Sequence, residues 1–285
     1  MTDTLMPLDA FTPFVEGLDH PEGVAWGPDG FIYAGGEAGQ IYRINLDTGN
    51  FEEIANTGGF VLGLCLDAAS NIYACDHVKQ CVFRITQSGQ VSVYASSSPE
   101  RKMSVPNYPV FDKAGNLYVS DSGGWDEANG CLFRVTSAGE TELIDAGPFP
   151  FPNGLALSPD GSELYMVLSN LPGVGKFPLQ DSGAVGPLET VVELPENEVP
   201  DGLAFDSQGN LFISCYTPSR IYRLTPNGDL VILAEDPRNT TLSAPTNIAF
   251  CRNDLTTLAV ASLGRWHLSR AEMDIAGQPL WYPNL

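Results

Sequence analysis

The sequence predicts an all-β protein, a six-bladed β-propeller whose four-stranded antiparallel blades surround a central metal site. Three observations carry this expectation: a unit repeated six times, the strand pattern inside each unit, and the lack of any long stretch with helical periodicity. The units begin HPEGVAWGPDGFIYAGG (from His20), FVLGLCLDAASNIYACD (from Phe60), VPNYPVFDKAGNLYVSD (from Val105), FPNGLALSPDGSELYMV (from Phe151), VPDGLAFDSQGNLFISC (from Val199) and APTNIAFCRNDLTTLAV (from Ala244). Their third residues are Glu22, Leu62, Asn107, Asn153, Asp201 and Thr246, spaced 40, 45, 46, 48 and 45 apart. A period of this size is the signature of propeller blades.

Within each unit a short apolar strand leads to a tight turn rich in Asp, Asn and Gly, then to a second strand of aromatic and β-branched residues. A third strand follows, as in IYRI, VFRI, LFRV and IYRL, and a fourth, as in VSVYA, TELIDA and LVILA. Packing such blades around a channel protects their sheet edges. The segment Phe11–Glu16 resembles the fourth strand that precedes every other unit, so it is expected to pair with the C-terminal strands and close the ring. The terminal QPLWY receives no assignment.

A chain of 285 residues that is 43% hydrophobic can bury a sizeable core, and one domain is expected over residues 1–285. The 29 glycines and 22 prolines make it turn-rich without low complexity. A net charge of −21 with no basic run excludes nucleic acid and anionic lipid surfaces as partners. Apolar runs such as Leu258–Leu263 fall far short of the roughly 18 residues of a membrane span, and the N-terminal MTDTLMPLDAF lacks the features of an export signal. Six cysteines without a C-x-x-C pair read as buried thiols, so a reducing, cytoplasmic setting is expected.

In a propeller the innermost strand starts at the channel mouth, so one position per unit converges on the axis. Glu22, Asn107, Asn153 and Asp201 put a side-chain oxygen at that position, and no histidine or thiolate occurs there. Two carboxylates and two amides suit Ca²⁺, which takes six to eight hard oxygens; manganese, magnesium and zinc are candidate replacements. Pro-Asn-Gly and Pro-Asp-Gly are also ordinary turn signals, but turn chemistry asks nothing of Glu22. Asp29, Asp112, Asp160 and Asp206 lie between the first and second strands, at the far end of the blade, and are read as turn residues.

The second strands end at the same mouth, bringing Glu37, Asp76 with His77, Asp121, Asn170, Tyr216 and Ser262 toward it. Longer loops there carry Arg101, Lys102, Trp125, Glu127, Phe149, Phe151, Trp266 and His267. The aromatic residues among them suggest an apolar substrate wall. With three histidines, no G-x-S-x-G elbow, no H-E-x-x-H and no phosphate-binding glycine loop, the parts of a serine hydrolase, zinc protease or nucleotidase are missing.

On HPEGVAW, SVPNYPVFDKAGNLYVSD, FPNGLALSPDGSELY and VPDGLAFDSQGNLFISCY the chain resembles the family of senescence marker protein (regucalcin), gluconolactonase and luciferin-regenerating enzyme. Diisopropyl fluorophosphatase is a more distant relative. The resemblance runs from Pro21 to about Ser262. It implies one catalytic divalent cation, usually calcium, held by Glu22, Asn153 and Asp201, with Asn107 beside the metal or the substrate. Family gluconolactonases usually carry aspartate where this chain has Tyr108, and the sugar-lactone hydrolases resembling regucalcin place arginine where it has Val105, which points away from sugar-acid lactones. The function implied is calcium-dependent hydrolysis of a small lactone or ester. Asp201 is the catalytic residue, as general base or nucleophile, and Asn107, Tyr108, Asp121, Trp125 and His267 are the candidate substrate contacts. Two alternatives stand beside it: organophosphate hydrolysis, and a non-catalytic propeller whose calcium is structural and whose rim binds a partner protein.

Overall fold

In the computed structural model, which describes residues 4–285, the six repeats form six four-stranded antiparallel sheets. The inner strands are Val24–Trp26, Val61–Leu66, Pro106–Phe111, Pro152–Leu157, Val199–Phe205 and Pro245–Cys251, in blades 1 to 6. Helix among the described residues is limited to two 3₁₀ turns, Leu8–Ala10 and Leu263–Arg265, and no helix is long and apolar enough to cross a membrane.

Blade 6 is built from both ends of the chain. Thr12–Glu16 pairs antiparallel with His267–Glu272 as its outermost strand, with Thr12 opposite Arg270 and Glu16 opposite His267. The expected closure is therefore observed, and it ties the two ends of the ring by a hydrogen-bonded ladder.

Among the described residues the core is divided, because the blades are arranged around an axis. Apolar side chains instead fill six seams between neighbouring blades: Tyr33, Leu64 and Ala74 between blades 1 and 2, Tyr73, Phe111 and Phe133 between blades 2 and 3, and so around to Val15, Trp26 and Ala259 between blades 6 and 1. The second strands of blades 1, 2, 3 and 6, covered on both faces, are accordingly wholly buried. All six cysteines are free, and five of them are buried.

The far ends of blades 2, 3 and 5 are held by one recurring turn. Asp67 accepts hydrogen bonds from the Ala69 and Asn71 backbone N–H and from Asn71 Nδ2, all within 2.8–2.9 Å. Asp206 repeats this with Gln208 and Asn210, and Asp112 with Asn116. The phenols of Tyr33 and Tyr73 reach back to Asp29 (2.7 Å) and Asp67 (3.2 Å).

The C-terminal segment crosses this far end instead of adding a strand to a blade. Ala276 O accepts from Ser207 N, Gly277 N donates to Leu255 O, and Gln278 donates to Phe205 O and Pro159 O. Tyr282 Oη donates to Trp26 O (2.6 Å), Pro283 O accepts from Ala68 N, and Trp281 lies under the Lys113 ammonium. One short segment thus touches all six blades. Between it and the opposite mouth lies an apolar cavity of about 330 Å³, walled by residues such as Leu66, Tyr108, Leu157 and Phe250.

Candidate metal centre

At the open mouth every inner strand but that of blade 1 enters its sheet through an irregularity at the same place. The register shifts between Val61 and Leu64, Pro106 and Tyr108, Pro152 and Leu155, Pro200 and Leu203, and Pro245 and Ile248. A bulge of this kind releases residues from the ladder and re-aims their side chains. The residues released are Leu62, Asn107, Asn153, Asp201, Thr246 and their neighbours, and Glu22 holds the equivalent place before Val24–Trp26. Pro-Asn-Gly and Pro-Asp-Gly are therefore bulged strand here, not turns. Their glycines serve a different purpose: a Cβ on Gly154 would lie 2.4 Å from Asp201 O, and one on Gly202 2.7 Å from Asn247 Oδ1 and Thr246 O. Backbones of adjacent blades touch at this neck, and only a hydrogen fits between them.

The amides at the neck are oriented by hydroxyl relays that run from blade to blade. Ser122 Oγ donates to Pro152 O (2.7 Å) of the next blade, so its lone pair must accept the hydrogen of Asn107 Nδ2 (3.0 Å). Ser169 Oγ donates to Pro200 O (2.7 Å) and accepts from Asn153 Nδ2 (3.3 Å). Across the closure, Asn247 Nδ2 and Thr246 Oγ1 both donate to Glu22 O, at 3.1 and 2.7 Å. With each amide nitrogen committed, each amide oxygen is turned away from these partners.

Those oxygens have no partners of their own. Glu22 Oε2, Asn107 Oδ1, Asn153 Oδ1, Asp201 Oδ1 and Asn247 Oδ1 are sealed from solvent and make no hydrogen bond; among the described residues no other buried side-chain oxygen is left in this state. All five residues are at most 6% exposed. A buried polar atom left unsatisfied costs about 1–3 kcal/mol, so five cost about 5–15 kcal/mol, as much as the net stability of a whole domain. Burial pushes the Glu22 carboxyl well above its ordinary value, and the negative charge of Asp201 pushes it further; Asp201 is raised by burial too. Five acceptor oxygens and two carboxylates disfavouring each other's charge call for a cation. Their hardness and their formal charge fit a divalent ion that takes six to eight oxygens, the remainder from water or substrate.

Asn247 is absent from the sequence reading, which assigned the sixth position to Thr246. Thr246 spends its hydroxyl on Glu22 O, and the next residue supplies the free oxygen. A usable signal was present: the residue after the converging position is glycine in blades 1, 2, 4 and 5 (Gly23, Gly63, Gly154 and Gly202), but Tyr108 and Asn247 in blades 3 and 6. In those two opposite blades a second side chain follows directly, Asn247 at the neck and Tyr108 in the cavity below it.

The remaining expected site residues are dispersed. Tyr108 forms part of the wall of the apolar cavity below the neck, where burial, then Cys65, Glu22 and Asp201, hold its phenol above its usual value. Asp121, read as a substrate contact, is turned inward: its carboxylate accepts from the backbone N–H of Ser104 (2.6 Å), Val105 (3.0 Å) and Gly123 (3.3 Å). Asp76 does the same for Phe60 and Lys79. His267, expected on the mouth wall, is 3% exposed, with Nε2 at 2.9 Å from Thr241 O. Trp125 does lie at the mouth, 46% exposed and edge-on to Phe151 with ring centroids 4.6 Å apart. Two further ring pairs, His20 with Trp266 (4.4 Å) and Phe60 with His77 (5.1 Å), extend this aromatic rim.

The family model described as SMP-30/Gluconolactonase/LRE-like region matches residues 20–264. A gluconolactonase of Zymomonas mobilis is 29% identical over 72% of this chain and 60% of its own length, so the chain spans about three-fifths of that relative. A diisopropyl-fluorophosphatase of Loligo vulgaris is 25% identical over 76% of this chain and 79% of its own. The solved structure of a gluconolactonase from Xanthomonas campestris superposes with a TM-score of 0.79, covering 92% of this chain and 89% of that one at 19% identity. The chain belongs to the SMP-30/gluconolactonase/LRE-like family.

Proposed function

We propose that this chain is a calcium-dependent hydrolase of lactones or related carboxylic esters. The observation that carries the reading is the set of five sealed, unpartnered oxygens gathered from blades 1, 3, 4, 5 and 6 at one mouth of the channel. A divalent ion held there supplies a Lewis acid for the substrate carbonyl. Glu22, Asn107, Asn153 and Asn247 are its holding residues. Asp201 gives Oδ1 to the same group, which leaves Oδ2 as its second carboxylate oxygen. That oxygen takes the proton of the attacking water and returns it to the ring oxygen as the acyl C–O bond breaks. Direct attack by Asp201 on the carbonyl is the alternative course for the same residue. Trp125 and Phe151 provide an apolar wall for the substrate. A small-molecule partner and a cytoplasmic setting for six free thiols belong to the same reading.

The similarity to the fluorophosphatase, which covers three-quarters of the chain, favours a second reading in which the substrate offers a phosphoryl oxygen. Initial rates on a lactone panel, an aryl ester and a fluorophosphate separate the two. Rates are measured after chelation and after adding back calcium, manganese, magnesium or zinc. Lactone turnover lost on chelation and restored by calcium is the expected result. Turnover indifferent to chelation contradicts the reading, and cation binding without turnover of any substrate favours a purely binding role.

A further inference from the structure

A second cavity, of about 580 Å³, opens between blades 5 and 6. It lies on the face of the candidate metal centre. Tyr216 in its wall ends the second strand of blade 5, and Ser243 and Ala244 lead directly into Pro245–Cys251. Ala244 is three residues from Asn247, about 10 Å of extended chain. That separation is within the length of an elongated small molecule.

The charge of the wall is unusual for this molecule. Its two carboxylates are occupied: Glu235 pairs with Arg220, and Asp236 accepts the backbone N–H groups of Arg238 (3.0 Å), Thr240 (2.8 Å), Thr241 (2.7 Å) and Leu242 (3.1 Å). Its two guanidinium groups, on Arg238 and Arg265, have no carboxylate within ion-pair distance among the described residues, although the chain holds 35 acidic residues against 14 basic ones. Arg265 is anchored through Nε to Asn239 O (2.8 Å), which leaves its terminal nitrogens free, and the loop bearing Arg238 is pinned by Asp236. Two unpaired guanidinium groups at one cavity, that of Arg265 anchored through its Nε, form a site for an oxyanion.

We propose that Arg238 and Arg265 form an anion subsite, and that the substrate is an elongated lactone or ester bearing a carboxylate, phosphate or sulfonate at the end remote from the scissile carbonyl. The substrate half of this inference rests on the hydrolase reading; the subsite does not. The test compares wild type with R238Q/R265Q in two assays: kinetics on a neutral lactone and on a lactone of the same ring size with a distal carboxylate, and calorimetric binding of the corresponding open-chain dicarboxylate. The double variant is expected to raise KM for the anionic lactone about tenfold or more with kcat little changed, to leave the neutral lactone unaffected, and to weaken dicarboxylate binding to the same degree. Equal kinetics of both proteins on the anionic lactone, or an equal loss on both lactones, overturns the substrate assignment. If no lactone is turned over, the hydrolase reading fails while dicarboxylate binding still decides the subsite: binding absent from wild type, or unchanged in the variant, overturns it.

Discussion

The two ends of the channel use the same residue types for opposite purposes. At the far end Asp67, Asp112 and Asp206, with Asn71, Asn116 and Asn210, close each turn on itself, with carboxylate oxygens taken up by backbone and amide hydrogens four residues away. At the open end Asn107, Asn153, Asp201 and Asn247 lie as deeply buried, yet each keeps an oxygen without a partner. Asp or Asn in a glycine-rich segment therefore says little by itself. The local backbone decides: a turn brings N–H groups back to the side chain, whereas a bulge in an inner strand removes them. One end has its polar groups satisfied within the chain, and the other leaves oxygens without a partner in it.

Substitutions that exchange these roles test the contrast. The largest effect is expected at the open end, where Asp201→Asn should lower lactone turnover by about 10³-fold or more and weaken cation binding. Because the variant removes a buried charge, the metal-free protein should melt no lower than wild type, a combination that circular dichroism and steady-state kinetics check together. At the far end Asp206→Ala removes three hydrogen bonds and leaves Asn210 without its partner. It should cost about 2–3 kcal/mol of stability in urea titrations, with cation affinity unchanged.

A pH series sharpens the comparison further. Glu22 and Asp201 have carboxyls raised by burial in the folded protein, so the folded state binds more protons than the unfolded chain from about pH 4, the ordinary carboxylate value, up through their raised values. Stability from this pair is complete below that window and is lost as the pH rises through it. Metal-free protein should therefore lose melting temperature with rising pH across this range, and saturating calcium should flatten the slope, since the ion holds both carboxylates ionised. The smallest effect is expected from Ser122→Ala, which frees the Asn107 amide to rotate. It should weaken cation binding about tenfold, because one amide among five oxygens loses its fixed orientation.

Much of this was legible in the sequence. The repeat of 40 to 48 residues and the likeness of Phe11–Glu16 to an outer strand are enough for the ring and its closure, because both are patterns of whole strands. Glu22, Asn107, Asn153 and Asp201 could be aligned because they share one phase of the repeat. Asn247 lies one residue out of that phase; its only trace is the missing glycine after Thr246, and the hydrogen-bond partners of the two residues decide which one keeps a free oxygen. Asp121 and His267 illustrate the same limit. Their position near the mouth follows from strand order, but their orientation depends on loop backbone that only the folded chain brings beside them. The path of the C-terminal segment across six blades is set by contacts with single carbonyls and leaves no periodic trace.

The central claim is that five oxygens, unsatisfied in the protein alone, hold one divalent cation. Calorimetric titration of Ca²⁺ into chelator-treated protein tests it most directly, with Glu22→Gln, Asn247→Ala and Asp201→Asn measured alongside. One saturable site per chain, weakened in all three variants and accompanied by a rise in melting temperature, is the predicted result. No saturable binding, or binding undiminished in the three variants, would contradict it.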